Sequence, residues 1–315
     1  MRSISETPST TAWYLLAIAT LMSLVAGAAQ GFSLPCSQAG VCLVLCGGLL
    51  AVAKIGRTRF TSDAMAETCA LFAFWIAMLS VLLPASYVAA AFNAAFIDGS
   101  LQAWDRALGF DWLALQRWTD RTEWAAKVLV AAYMYSSVQI AVAVFVLAAT
   151  RDLGRLNIYV TGLLIATLVT VAISAALPAL GAYPAYGFVV KPQGAIGTFA
   201  DVLSFKGDVM ALRAGTLREL SGPFQGIITF PSYHTVVAVS AAWATWRVHW
   251  IGAVNTAATG VVLISTLPIG GHHLIDLMAG TAVIAASLAL ARWLEARAAH
   301  KGVAAPIYIA EPKSA

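Results

Sequence analysis

Residues 155–178 read RLNIYVTGLLIATLVTVAISAALP, and after Arg155 no charged side chain interrupts them. An uncharged apolar run of about 18 or more residues is what a helix needs to cross the hydrocarbon core of a bilayer. Working outward, runs of the same kind fall at 12–30, 38–54, 66–92, 125–150, 232–248, 251–267 and 272–294, so the sequence predicts eight spans. Composition agrees: 60% of the 315 residues are hydrophobic and 11% charged, against roughly 45–50% and about 25% in soluble domains. A soluble globule is excluded, and an all-α polytopic membrane protein is expected.

The distribution of charge says more than the net +4. No stripe of basic and aromatic residues suggests nucleic acid as a partner. Positively charged residues favour cytoplasmic segments. A cytoplasmic N-terminus puts Arg2, Lys54, Arg57, Arg59, Arg151, Arg155, Arg247, Arg292, Arg297, Lys301 and Lys313 on that side, and leaves no cation in the short outer stretches 31–37 and 268–271. The remaining cations lie in two long outer segments, 93–124 with the adjoining Lys127 and 179–231, and long translocated segments obey the rule weakly. Both termini are therefore expected in the cytoplasm, with a bacterial inner membrane as the location. Ala26-Gly27-Ala28 resembles a signal-peptide cleavage site, and removal of the first span would leave the topology of the rest unchanged. Cys36, Cys42, Cys46 and Cys69 suit neither a disulfide framework nor a zinc spacing and read as buried, inert thiols.

Segment 93–124 alternates Trp104, Trp112, Trp118 and Trp124 with Asp98, Asp105, Arg106, Asp111, Arg117, Asp120 and Arg121. Such mixing suits short helices lying flat at headgroup level. They would serve as an anchoring girdle or as a platform that guides a lipid headgroup. Segment 179–231 carries Pro184, Pro192 and Pro223 with Lys191, Lys206, Arg213 and Arg218. A long segment of this kind in a compact fold is usually functional.

Three of the five histidines stand at predicted outer span ends, in Phe230-Pro231-Ser232-Tyr233-His234 and Gly270-Gly271-His272-His273-Leu274-Ile275-Asp276. A carboxylate at the mouth of an apolar helix is costly, roughly 2.5–3.5 kcal/mol at the bilayer centre and less near its edge, so it usually has a partner. His272 and Asp276 are four apart, share a helix face and can hydrogen-bond. A carboxylate on one ring nitrogen leaves the other as nucleophile or base. Pro231 suits a first helical turn, where Ser232 and free amides would form a cup for a phosphoryl group. His234 could donate a proton to a leaving oxygen. His273 points about 100° away from His272 on a helix and reads as a supporting or packing residue.

These motifs resemble the type 2 phosphatidic acid phosphatase superfamily. Its signature runs Lys, six residues, Arg-Pro; then Pro-Ser-Gly-His; then Ser-Arg, five residues, His, three residues, Asp. Here Ser265, His272 and Asp276 keep the register of the third part, but Thr266 stands where Arg is expected. Tyr233 replaces the glycine of the second part. Lys206 and Arg213 have the spacing of the first, with Ala214 in place of proline. Phe-Pro-Ser-Tyr-His with His-His-x-x-Asp-Leu is more similar to the inositol phosphotransferase branch, whose best-known members transfer phosphoinositol to ceramide.

The resemblance implies a six-helix core within 61–296, preceded by two added spans in 1–60 and followed by a tail, 297–315. It implies a metal-independent enzyme needing no cofactor. His272 attacks phosphorus to form a phosphohistidine, Asp276 orients it, and His234 serves as acid and then base. Lys206, Arg213 and Ser232 hold the substrate's oxygens, and the partners are a lipid phosphate, membrane lipids and an alcohol acceptor. Three other readings of the residues stay open. A metal site of His234, His272, His273 and Asp276 lacks Cys or Glu-rich helpers. A lipid transporter or flippase would show polar residues mid-span in paired positions, whereas here they cluster at helix mouths. A catalytically silent scaffold would have no use for the His-His-Asp set.

Overall fold

The structure is a computed structural model and describes residues 7–33, 36–59, 63–188, 194–199, 203–221 and 224–303. Arg2, Lys191, Pro192, Pro223 and Lys313 lie outside the described residues, as do the side chains of Cys36, His300 and Lys301.

The described chain is helical almost throughout. In order come α1 (Thr10–Ala29), α2 (Cys36–Arg59), α3 (Asp63–Ala90), α4 (Asp98–Ala107), α5 (Trp112–Arg121), α6 (Glu123–Ala149), α7 (Leu153–Ala176), α8 (Ala182–Ala185), α9 (Ala195–Phe199), α10 (Phe205–Ala214), α11 (Tyr233–Thr245), α12 (His249–Thr266) and α13 (Leu274–Val303). Helix starts follow local chemistry: Ser9, Asp111 and Asp152 each accept an amide of the first turn of α1, α5 and α7.

Six helices, α1, α2, α3, α6, α7 and α13, are long and apolar enough to cross a membrane. Their outward faces carry large exposed apolar side chains such as Leu21, Met22, Leu43, Val44, Phe72 and Phe145, as a lipid-facing surface requires. The other two expected spans, α11 and α12, are helices that fall outside this set. α11 has only 13 residues, about 20 Å of helix against a hydrocarbon core of about 30 Å. Six of the eight expected spans thus have the length and composition of a crossing, and α11 and α12 pack among them.

The embedded core forms where α7 meets α1, α3, α11 and α13. Phe74, Met78, Leu147, Tyr159, Leu163, Leu164, Val236 and Ile284 fill it, together with Ala12 and Leu16 of α1. α11 is anchored at its C-terminal end by Arg155 of α7, whose Nε donates to the Ala244 carbonyl at 2.9 Å. The same guanidinium reaches the Trp243 carbonyl and lies 4.3 Å over the Trp243 ring, so two carbonyls near a helix end find a donor. Between α6, α11 and α12 a buried polar chain links Gln139, Asn255, Thr259 and Thr245. A cavity of about 540 Å³ lies between α1, α2 and α3, lined by Leu24, Leu79, Val81 and Phe224 among others, and none of the three site histidines lines it. Cys42 and Cys46 are free thiols, each within hydrogen-bonding reach of α3.

The short helices α4, α5, α8, α9 and α10 all belong to the connections at one end of the bundle, which is thereby covered. Because α11 is short and its far end is tied to α7, its first residue lies well below that covered end. Tyr133, which meets His234, is the eleventh residue of α6, about 15 Å down that helix. The site is thus recessed.

Candidate active site

The starts of α11 and α13 are held against each other. Ser232 N donates to the Asp276 carbonyl at 3.1 Å. Gly280 lies one turn after Asp276 in α13, where a Cβ would come within 2.6 Å of the Ser232 carbonyl, so only glycine permits this approach. Ser232 is the N-cap of α11, its hydroxyl accepting from Thr235 N at 3.4 Å, and is fully buried. Pro231 lies just before that cap rather than in the first turn, a small correction to the sequence reading.

His272 Nδ1 stands 3.2 Å from Asp276 Oδ2, both side chains almost wholly buried. The expected contact is made, but His272 lies two residues before α13, so the two do not share a helix face as the spacing suggested. The same Oδ2 accepts the His273 amide at 2.9 Å. The His234 ring centroid is 6.0 Å from that of His272. His234 is partly exposed while His272 is 2% exposed, so a substrate would reach the pair from the His234 side. Tyr133 of α6 lies against His234 with ring centroids 4.3 Å apart and its hydroxyl 3.4 Å from Nδ1. The amides of Tyr233 and His234 meet no acceptor among the described residues, as is usual for the first N–H groups of a helix.

The turn before His272 is clamped from the covered end. Gly271 adopts φ +65°, and its carbonyl accepts from Ala182 N at 2.7 Å. Tyr183 Oη donates to the Pro268 carbonyl at 2.6 Å and Trp112 Nε1 to that of Leu267 at 3.1 Å. His273 turns away from His272 to Asp105 of α4, with Nδ1 3.0 Å from Oδ2. Segment 93–124 is accordingly divided: Trp104, Trp118 and Trp124 face outward, whereas Trp112 and Asp105 are fully buried. Sequence reading missed Tyr133 and the part played by Asp105. The polar run Tyr133, Tyr135, Ser136 within an apolar span is the one signal that pointed to the former.

The two expected cations are not drawn onto the histidines. Arg213 donates to Asn93 Oδ1 and the Ala94 carbonyl and lies 3.9 Å over the Phe96 ring, while its buried Nη1 has no hydrogen-bond partner. Lys206, one residue into α10, makes no side-chain hydrogen bond or ion pair among the described residues. Thr266, where Arg is expected, is buried and its hydroxyl turns back to the Leu263 carbonyl. Among the described residues no group of three or more His, Cys, Asp or Glu side chains is arranged to hold a metal ion.

Comparison with known proteins bears on this geometry. Residues 99–290, more than half of the chain, match the sequence model of the PAP2 superfamily, and the chain belongs to it. Membership makes it a phosphatase-type membrane enzyme with a phosphate-containing substrate. Neither the comparison with curated proteins nor that with solved structures returned a match.

Proposed function

We propose that this member of the PAP2 superfamily transfers phosphoryl groups of lipid-linked phosphates through a phosphohistidine on His272. The observation that carries the reading is the buried His272–Asp276 pair facing His234 across 6.0 Å, with two unpaired amides beside them. Asp276 accepts the Nδ1 proton of His272, leaving Nε2 with its lone pair free to attack phosphorus. As the P–O bond to the leaving alkoxide breaks, His234 gives that oxygen a proton. As acid His234 is the imidazolium, with Nδ1–H facing the Tyr133 hydroxyl and Nε2–H given to the leaving oxygen; the neutral ring that remains is the base of the second half-reaction. The amides of Tyr233 and His234 and the Ser232 hydroxyl receive the non-bridging oxygens as charge moves onto them. Lys206 and Arg213 of α10 supply cations for the headgroup. In the second half-reaction His234 takes a proton from water or an alcohol, whose oxygen attacks phosphorus and releases His272. No step needs a metal.

Water as acceptor makes the enzyme a lipid phosphate phosphatase; an alcohol makes it a headgroup transferase with a phosphodiester donor. The inward-turned Thr266, which leaves one phosphate cation missing, favours transfer of the inositol phosphotransferase kind. The catalytic unit is residues 61–296, and the covered end faces outside, since the Lys and Arg pattern puts both termini in the cytoplasm.

Product analysis on purified protein in detergent with EDTA tests this. Labelled phosphatidic acid, a polyprenyl pyrophosphate and phosphatidylinositol are each offered with and without an alcohol acceptor. Free phosphate or a new phosphodiester, lost in His272→Ala, is the expected result. Activity abolished by EDTA, or retained in His272→Ala, overturns the mechanism.

A further inference from the structure

Two carboxylates of α4 have no part in that chemistry, yet both are engaged with the backbone around His272. Asp98 and Asp105 are seven apart, two turns along one helix face. Asp105 is fully buried; its Oδ2 meets His273 Nδ1 at 3.0 Å and Leu274 N at 3.2 Å, and its Oδ1 meets Ile275 N at 3.1 Å. Asp98 accepts from Leu180 N and Gly181 N, the latter at 2.7 Å. The following amide, Ala182 N, holds the carbonyl of Gly271. Burial pushes the Asp98 carboxyl above its ordinary range, and the two amides pull it back.

The peptide before His272 is therefore held from Asp98 by way of residues 180–182, and the residues after it are held from Asp105. A buried carboxylate is an expensive helix cap, since Ser, Thr or Asn would do that work without a charge. What a carboxylate adds is the grip on a ring: His273 Nδ1–H donates to Asp105 while its own amide donates to Asp276. With ring and amide both fixed, the 272–273 peptide cannot rotate, and the direction of the His272 ring is set.

We propose that Asp105 is a positioning residue for His272, acting through His273 and the first amides of α13, with Asp98 steadying the opposite side of the turn. The covered end of the molecule thereby belongs to the catalytic machinery. The proposal rests on the phosphohistidine reading of His272.

Asp105→Asn is the deciding variant. It keeps the size, but a single oxygen cannot serve all three donors. In full-length protein that elutes as the wild type does, we expect kcat to fall by about 10–100-fold with KM within about twofold, because a displaced nucleophile costs rate rather than binding. Asp98→Ala lowers kcat by a smaller factor, about 3–10-fold. Hydrogen exchange at the amides of 273–275 accelerates about tenfold or more in Asp105→Asn, a readout that needs no substrate. Unchanged exchange there overturns the proposal, as does a kcat within twofold of wild type. A wild type with no EDTA-resistant turnover would instead sink the phosphohistidine reading and leave the exchange result to decide the role of Asp105.

Discussion

The starts of α11 and α13 meet at the site, and they are built in opposite ways. At α13 the first amides are taken: those of Leu274 and Ile275 by Asp105, and that of His273 by Asp276. At α11 one hydroxyl caps the amide of Thr235, and those of Tyr233 and His234 meet no acceptor among the described residues. A helix start filled with carboxylates is a rigid mount that repels anions. One with bare amides attracts them, because N–H groups and helix dipole act together. In the proposed mechanism one mouth holds the nucleophile still and the other receives the phosphoryl group.

The largest effect that would break this comparison is at the mount itself. His272→Ala should lower turnover by about 10³-fold or more, since loss of a nucleophile cannot be compensated by binding; residual activity within tenfold would reassign the attack. Asp276→Asn should cost about 10²–10⁴-fold in kcat, as tautomer and orientation are lost together. At the receiving mouth, His234→Ala should let labelled phosphate accumulate on protein that turns over little. Acid-labile label on His272, followed by peptide mapping, would show it, and its absence with full turnover would remove His234 from the mechanism. Gly280→Ala forces a methyl against the Ser232 carbonyl and should destabilise by about 1–3 kcal/mol, read as a lower unfolding midpoint in detergent. The smallest effect is Tyr133→Phe, about 3–10-fold in kcat, because it removes one long hydrogen bond.

Much of this was legible in the residues. Runs without charge announced the spans because a bilayer allows few alternatives to helix. The His272–Asp276 pair was legible from its spacing of four, although His272 stands two residues before α13 and the pair closes across the helix start rather than along one helix face. His234 was legible through its position beside Pro231-Ser232 at a second helix start. The length of α11 was not, since Trp246 and Val248 extend the apolar run past the last residue of the helix. Nor was the role of Arg155, which as a charge near a span end served only the orientation rule, though its guanidinium ties α7 to α11.

The sequence by itself thus determined what is local: helix class, the membrane as solvent, and a histidine and an aspartate four residues apart at one helix start with a second histidine at another. Only the tertiary structure decided what is distant. It put Asp105 on His273, 168 residues away, Tyr133 on His234 and the Ser232 amide on the Asp276 carbonyl, and it gave Arg213 to Asn93 and Phe96. Helical periodicity relates residues a turn or two apart, whereas which faces meet is settled by packing over the whole bundle, of which a linear pattern holds no record.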